Sequence, residues 1–167
     1  DFCLSRGLGD VYKRQDMQSA IDSAFGEASD VIIESFISGR EVTCGCYKTK
    51  ERVVLLPLTE VVTQNEFFDY NAKYMGQVEE ITPARLPEEI TSRIQALTSK
   101  IYDLVDAKGI IRADFIISDG TPYLLEVNTT PGMTATSFIP QQVKAAGMNM
   151  ADVLSEIIEN EYLKNAK

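Results

Sequence analysis

Between Arg112 and Ser137 the sequence gathers more chemistry than anywhere else in the chain. In the run IIRADFII, Arg112 and Asp114 stand two positions apart, as do Glu126 and Asn128 in YLLEVN. On an extended strand such pairs share a face, while Ile111, Ala113 and Phe115, and likewise Leu125 and Val127, take the other. Asp119-Gly120, between the two runs, is a hairpin signal. If Asp114 lies across from Glu126, then Arg112 lies across from Asn128, and one face collects two carboxylates, an amide oxygen and a guanidinium. A single guanidinium does not comfortably balance two adjacent carboxylates. Hard oxygen donors at this density suit Mg²⁺, which is commonly held by one or two carboxylates plus substrate phosphates. Taken alone, the pattern more often marks a solvated, salt-bridged strand face. The opposition also needs an odd hairpin loop, three residues around Asp119-Gly120. A two-residue loop sets Asp114 across from Leu125 and turns Glu126 away.

The next segment strengthens the chemical reading. Thr129-Thr130-Pro131-Gly132-Met133-Thr134-Ala135-Thr136-Ser137 embeds a Pro-Gly turn in hydroxyl side chains. Such a turn presents free backbone N–H groups, which can cradle an oxyanion or a carboxylate. A metal-binding face beside a donor-rich turn is a site for phosphoryl transfer and for a tetrahedral intermediate.

Composition narrows the alternatives. The 167 residues contain no histidine, which removes Ser–His and Cys–His nucleophile systems and the usual His-rich zinc sites. A net charge of −9 argues against nonspecific binding to nucleic acid or anionic membrane. Cys3, Cys44 and Cys46 form no disulfide framework, and the last two read as small, reduced core residues. No stretch approaches the length of an apolar membrane-spanning helix.

The elements that must position these residues follow from periodicity. Met17, Ile21 and Phe25 predict a helix over 16–25, and DVIIESFI predicts a strand over 30–37. Strands over 41–48 and 52–62, joined by a polar turn, suggest an antiparallel meander with it. Residues 64–76, QNEFFDYNAKYMG, form an aromatic, charged loop of the kind that carries function. A long helix opens at Pro87, with Ile90, Ile94, Leu97, Ile101 and Leu104 as its apolar stripe. Strands over 109–117 and 122–127 make the hairpin. A short helix over 139–146 ends at Gly147, and Asn149 caps a last helix whose buried stripe is Val153, Leu154, Ile157 and Ile158.

Four segments together resemble one family. LLEVNTTPGMTATSFIP is similar to the LLExNTxPGMTxxSxxP stretch of the D-alanine–D-alanine ligases, members of the ATP-grasp superfamily. FFDYNAKY resembles their (F)YDYxAKY loop, IIESFISGREVTCGCY their IIExFxxGxExTxGxx stretch, and RADF their RxDF strand. The matches run in the family's order from Asp30 onward. The resemblance implies an α+β, ATP-grasp fold: part of the central domain, then the C-terminal domain with an antiparallel sheet and flanking helices. Residues 1–15 are expected outside it, as a non-native or disordered extension, and residues 16–167 within it. The family's N-terminal domain and phosphate-binding loop are expected to be absent, so the chain alone should be inert.

The resemblance also implies roles. Glu34, Ser35 and Ile37 would line the adenine through main-chain groups, with Ser35 standing where many relatives have Lys. Glu41 would take the ribose hydroxyls, and Phe67 would pack near the nucleotide. Lys73 would meet the transferred phosphate and the substrate carboxylate, and Tyr74 would close over the D-alanine subsites. Asp114, Glu126 and Asn128 would hold two Mg²⁺ (or Mn²⁺) ions, with Glu126 bridging. Arg112 and the Gly132 N–H would stabilise the oxyanion, and Ser137, with the Phe138 backbone, would take the second D-alanine's carboxylate. The implied reaction joins two D-alanines through an acyl phosphate made from ATP, in peptidoglycan precursor synthesis. The expected setting is the bacterial cytoplasm, with D-alanine and ATP as partners and no nucleic acid or membrane; a homodimer is one assembly open to the full-length parent. The rivals are another ATP-grasp ligase, such as one forming D-alanyl-D-lactate, and a non-catalytic module that binds Mg²⁺ or nucleotide. Tyr74 resembles the dipeptide-forming enzymes.

Overall fold

The computed structural model describes residues 2–5, 10–12, 17–63 and 78–165. The chain divides into two compact units, Asp1–Ser38 with Thr63–Glu79, and Gly39–Val62 with Glu80–Lys167.

In the first unit, strands β1 (Phe2–Ser5), β2 (Asp10–Tyr12) and β3 (Ile32–Ser35) form an antiparallel sheet in the order β2-β1-β3. Helix α1 (Met17–Phe25) lies within the span its periodicity suggested. Residues 1–15 therefore contribute two strands where the sequence shows no strand period. The pairing of β1 with β3, Cys3 opposite Glu34, supplies an order that a local pattern does not reveal. β3 itself belongs to this sheet and not to a meander with the strand that follows.

The second unit is built on β4 (Arg40–Lys48), β5 (Val53–Leu55), β6 (Thr59–Thr63), β7 (Val78–Ile81), β8 (Ile110–Ser118) and β9 (Thr121–Asn128). The sheet runs β7-β6-β4-β8-β9, with β5 also paired to β4. The single strand expected over 52–62 is thus two, and both lie along β4: Cys46 pairs with Leu55, and Thr43 with Thr59. Strand β7 had no signal in the sequence.

Alternation along β4 and β8 sorts the two faces. Val42, Cys44, Ala113 and Phe115 pack with Ile94 of α2 (Glu88–Leu104), joined by Ile90, Leu97 and Ile101. Cys44 and Cys46 are free, buried thiols on this side, and burial pushes them up to about 12 and about 11, so neither is a nucleophile. On the opposite face, Tyr47, Leu56 and Ile110 pack against Ile139 and Val143 of α3 (Phe138–Ala145) and Val153 of α4 (Met150–Asn165).

Several predicted details differ. Pro87 caps α2 with extended backbone, ψ 144°, and does not begin it. Leu104, expected in the apolar stripe, is 73% exposed, while Tyr102 two residues earlier is buried against Cys46 and Ile111. In α4, Val153 and Ile157 face the core but Leu154 and Ile158 do not, because each is offset by about 100° on the helical wheel. Asn149 caps α4 as expected, its Oδ1 accepting from the Ala151 N–H at 2.8 Å.

Candidate active site

The hairpin brings the predicted face together, although by a route the sequence reading did not foresee. Ser118 pairs with Thr121, so the loop is the two-residue Asp119-Gly120. Both residues have positive φ, 49° and 74°, the combination a type I′ turn requires. A regular ladder from this turn would put Asp114 across from Leu125. The ladder is not regular: Phe115 pairs with Leu124, but Asp114 pairs with Glu126. Leu125 is the extra residue of a β-bulge, which restores the opposition of Asp114 to Glu126 and of Arg112 to Asn128.

On that face Arg112 grips Asp114 in a fork. Its Nε donates to Oδ1 at 2.8 Å and its Nη2 to Oδ2 at 2.7 Å. The Arg112 Nη2 also lies 3.6 Å from Glu126 Oε1. Both members of the fork are largely buried, with side chains 15% and 11% exposed, whereas Glu126 is 53% exposed. Burial works against the charge on Arg112, but the hydrogen bonds and charge of Asp114, then Glu126 and Glu41, outweigh it and hold the guanidinium protonated. Glu41 lies on this same face, two residues from Thr43, the Cα partner of Asp114.

The Pro-Gly turn closes the other side. A Cβ at Gly132 would come 2.8 Å from Ser137 Oγ, so a larger residue there would push that hydroxyl aside. Ser137 is the N-cap of α3 but makes no capping hydrogen bond with its side chain; its hydroxyl instead pairs with Thr134 Oγ1 at 2.8 Å. The first turn of α3 thus keeps its positive end for an anion. Phe138, read from the sequence only for its backbone, lays its ring 5.1 Å from the Arg112 guanidinium carbon.

Among the described residues, three acids, Asp114, Glu126 and Glu41, share this face with one guanidinium, that of Arg112. Asn128 Oδ1 accepts from the Thr130 N–H at 3.1 Å, which leaves the oxygen a second lone pair. Thr43 Oγ1, buried beside Asp114 on the same face, has no hydrogen-bond partner among the described residues. No cluster of three or more His, Cys, Asp or Glu placed for a metal occurs among the described residues. The donor set is therefore two carboxylates and an amide. It fits a hard divalent cation that takes its remaining oxygens from a phosphate ligand.

The remaining predicted residues are distributed more widely. Glu34 and Ser35 lie on β3, exposed, with Ile37 just beyond it in the first unit. Phe67, Lys73 and Tyr74 lie outside the described residues. The sequence reading missed Gln142, fully buried on α3 with its carboxamide bonded to β4. The available signal was a glutamine inside an apolar helical stripe, between Ile139 and Val143.

A family model described as D-ala D-ala ligase C-terminus matches residues 4–159. The chain belongs to the D-alanine–D-alanine ligase family. It is 63% identical over 159 residues to a D-alanine–D-alanine ligase of Bacteroides fragilis, covering 95% of this chain and 49% of that protein. Against the Parabacteroides distasonis enzyme the identity is 62% over 164 residues, covering 98% of this chain and 49% of the relative. The chain thus spans about half the length of the curated relatives it matches. A crystal structure of D-alanine–D-alanine ligase from Bacillus anthracis complexed with ATP superposes with a TM-score of 0.77 at 32% identity, covering 95% of this chain and 52% of that one. The α+β, ATP-grasp architecture implied by the motifs is the fold of this family, here with its antiparallel sheet and flanking helices.

Proposed function

We propose that this chain is the catalytic C-terminal region of an ATP-dependent ligase that joins two D-alanines into D-alanyl-D-alanine for peptidoglycan precursors. The observation that carries the reading is the single face holding Arg112, Asp114, Glu126 and Asn128 beside the Gly132 turn and the first turn of α3. The family's naming and the ATP-bound relative agree with it.

The γ-phosphoryl group of ATP passes to a carboxylate oxygen of the first D-alanine, releasing ADP and leaving an acyl phosphate. The amine of the second D-alanine attacks that carbonyl, loses a proton and expels phosphate through a tetrahedral intermediate. Arg112 holds positive charge where the phosphate and oxyanion charge builds up, with the Gly132 N–H as a second donor. Ser137 and the Phe138 N–H bind the second substrate's carboxylate at the positive end of α3. Glu41 takes the ribose hydroxyls, while Glu34, Ser35 and Ile37 line the adenine and Phe67 packs near it. Lys73 offsets the transferred phosphate and Tyr74 covers the subsites. Asp114, Glu126 and Asn128 would hold two Mg²⁺ (or Mn²⁺) ions, which would neutralise charge on the phosphates and polarise the P–O bond. No covalent enzyme intermediate is needed, in keeping with the lack of histidine. A cytoplasmic setting, no engagement of nucleic acid or membrane, and a homodimeric assembly complete the proposal.

The test is Glu126→Gln in the longer protein that carries this region. An amide keeps the shape but removes the anionic oxygen, and kcat should fall at least about a hundredfold across a Mg²⁺ titration. A solvated strand carboxylate would give a change within about 0.5 kcal/mol. Near-normal turnover would remove Glu126 from the metal site and the reading with it.

A further inference from the structure

The carboxamide of Gln142 is wholly buried within an otherwise apolar stripe of α3. Its polarity serves β4. Nε2 donates to the Thr43 carbonyl at 3.0 Å and to Thr59 Oγ1 at 3.1 Å, and Oε1 accepts from the Gly45 N–H at 2.9 Å. Strand β4 needs these bonds because one of its edges is interrupted. β5 pairs with Cys46–Lys48 and β6 with Glu41–Thr43, while between them the regular pairing lapses at Leu56–Leu58, although the Leu56 N–H still donates to the Gly45 carbonyl at 2.9 Å. A buried backbone group without a partner is costly, and a glutamine offers the donor and acceptor together that a neighbouring strand would have offered. Gly45 admits it: a Cβ there would lie 2.7 Å from Gln142 Oε1 and 2.7 Å from Ile139 Cδ1.

The two clamped residues are not arbitrary. Thr43 and Gly45 are the Cα partners of Asp114 and Arg112. The helix that supplies Gln142 also carries Ser137 at its N-cap and Phe138 stacked on Arg112. One side chain therefore fixes both the strand beside the charged pair and the helix whose first residue covers it. We infer that Gln142 is a positioning residue, setting the placement of the α3 N-terminus relative to Arg112 and Asp114. Only the kinetic arm of its test rests on the ligase reading.

In the wild-type chain the Gly45 amide should exchange at least on the order of a hundredfold more slowly than an open amide, although no strand neighbour accepts from it. Fast exchange would overturn the clamp. Gln142→Leu keeps the volume and removes the carboxamide; Gly45→Ala pushes on the same contact from the sheet. In either variant, once circular dichroism shows a folded protein, the Arg112 Nε–H resonance should move or broaden, since it reports both the Asp114 fork and the Phe138 ring. A folded Gln142→Leu with an unshifted Arg112 signal would reduce Gln142 to a core-filling residue and overturn the inference; if that variant does not fold, Gly45→Ala is judged by the same signal. In the longer enzyme, Gln142→Leu should raise KM for the amino acid roughly tenfold and leave KM for ATP unchanged. Equal KM values for the amino acid count against the inference. A longer wild-type enzyme that makes no dipeptide would instead sink the ligase reading, and the Arg112 resonance would still decide the role of Gln142.

Discussion

Replacing Arg112 by methionine probes how the charged face is held together. Arg112 donates to Asp114 at 2.8, 3.2 and 2.7 Å and stands 3.6 Å from Glu126. With side chains only 15% and 11% exposed, the Arg112–Asp114 pair falls in the regime of interior ion pairs, where surface screening does not apply. Removing one partner of such a pair costs about 3–5 kcal/mol, because the other charge is left uncompensated. Methionine retains most of the stem, so a cavity adds little to that figure. In a domain of this size the loss corresponds to roughly 6–20 °C in Tm. Arg112→Lys keeps the charge but loses the fork and the planar stack on Phe138, and should fall between, at about 1–2 kcal/mol. Mg²⁺ should stabilise the methionine variant more than the wild type, since a divalent cation replaces the missing positive charge on the folded state alone. The assay is thermal unfolding followed by circular dichroism at neutral pH, with and without millimolar Mg²⁺. A methionine variant melting within about 2 °C of wild type, indifferent to Mg²⁺, would refute the charge-balance reasoning.

Two further changes test the scaffold. Glu60 is buried between Arg85, at 3.0 Å, and Arg40, at 3.3 Å; burial acts to raise its carboxyl, but the two arginines outweigh that and hold it below the ordinary range. The folded state then binds fewer protons, so this stability is complete above the unfolded value of about 4.3 and fades as pH falls through the lower folded value. Melting curves against pH should show Glu60→Gln losing about 1–3 kcal/mol at neutrality and converging with wild type in acid. Gly120→Ala meets nothing within 4 Å, so it isolates the cost of φ 74°. Urea unfolding should give a loss of about 1–2 kcal/mol, and no loss would mean the turn is not type I′.

What the sequence revealed was whatever is set by local pattern. The stripe of α2 from Ile90 to Ile101 packs one face against the sheet, so its period survives along that length. The parts that did not show depend on partners distant in the chain. Strand β1 is ordered by β3, and the gap between β5 and β6 along β4 is bridged by Gln142, 97 residues beyond Gly45. An apolar period does not announce which of two adjacent apolar residues meets the core, hence the exposed Leu154 beside Val153 and Ile158 beside Ile157.

The candidate site residues stood out for a different reason: their types are wrong for a strand face that merely packs. Their alignment did not, because turn and site make incompatible demands on one hairpin. Asp119-Gly120 is a strong two-residue turn signal, and a two-residue turn fixes every later pairing. The site requires a pairing one residue out of step. A longer loop would satisfy the site by giving up the turn. The bulge at Leu125 satisfies both, because it changes the register only beyond Phe115 and Leu124. From Ser118 to Phe115 the hairpin obeys its turn; from Asp114 to Arg112 it obeys the chemistry. A bulge also leaves the ladder locally unpaired and more strongly twisted, a cost that a strand with a purely structural task has little reason to bear next to two carboxylates. Its position, immediately before Glu126, is therefore itself evidence that the opposition of Asp114 and Glu126 is what this hairpin is built to produce.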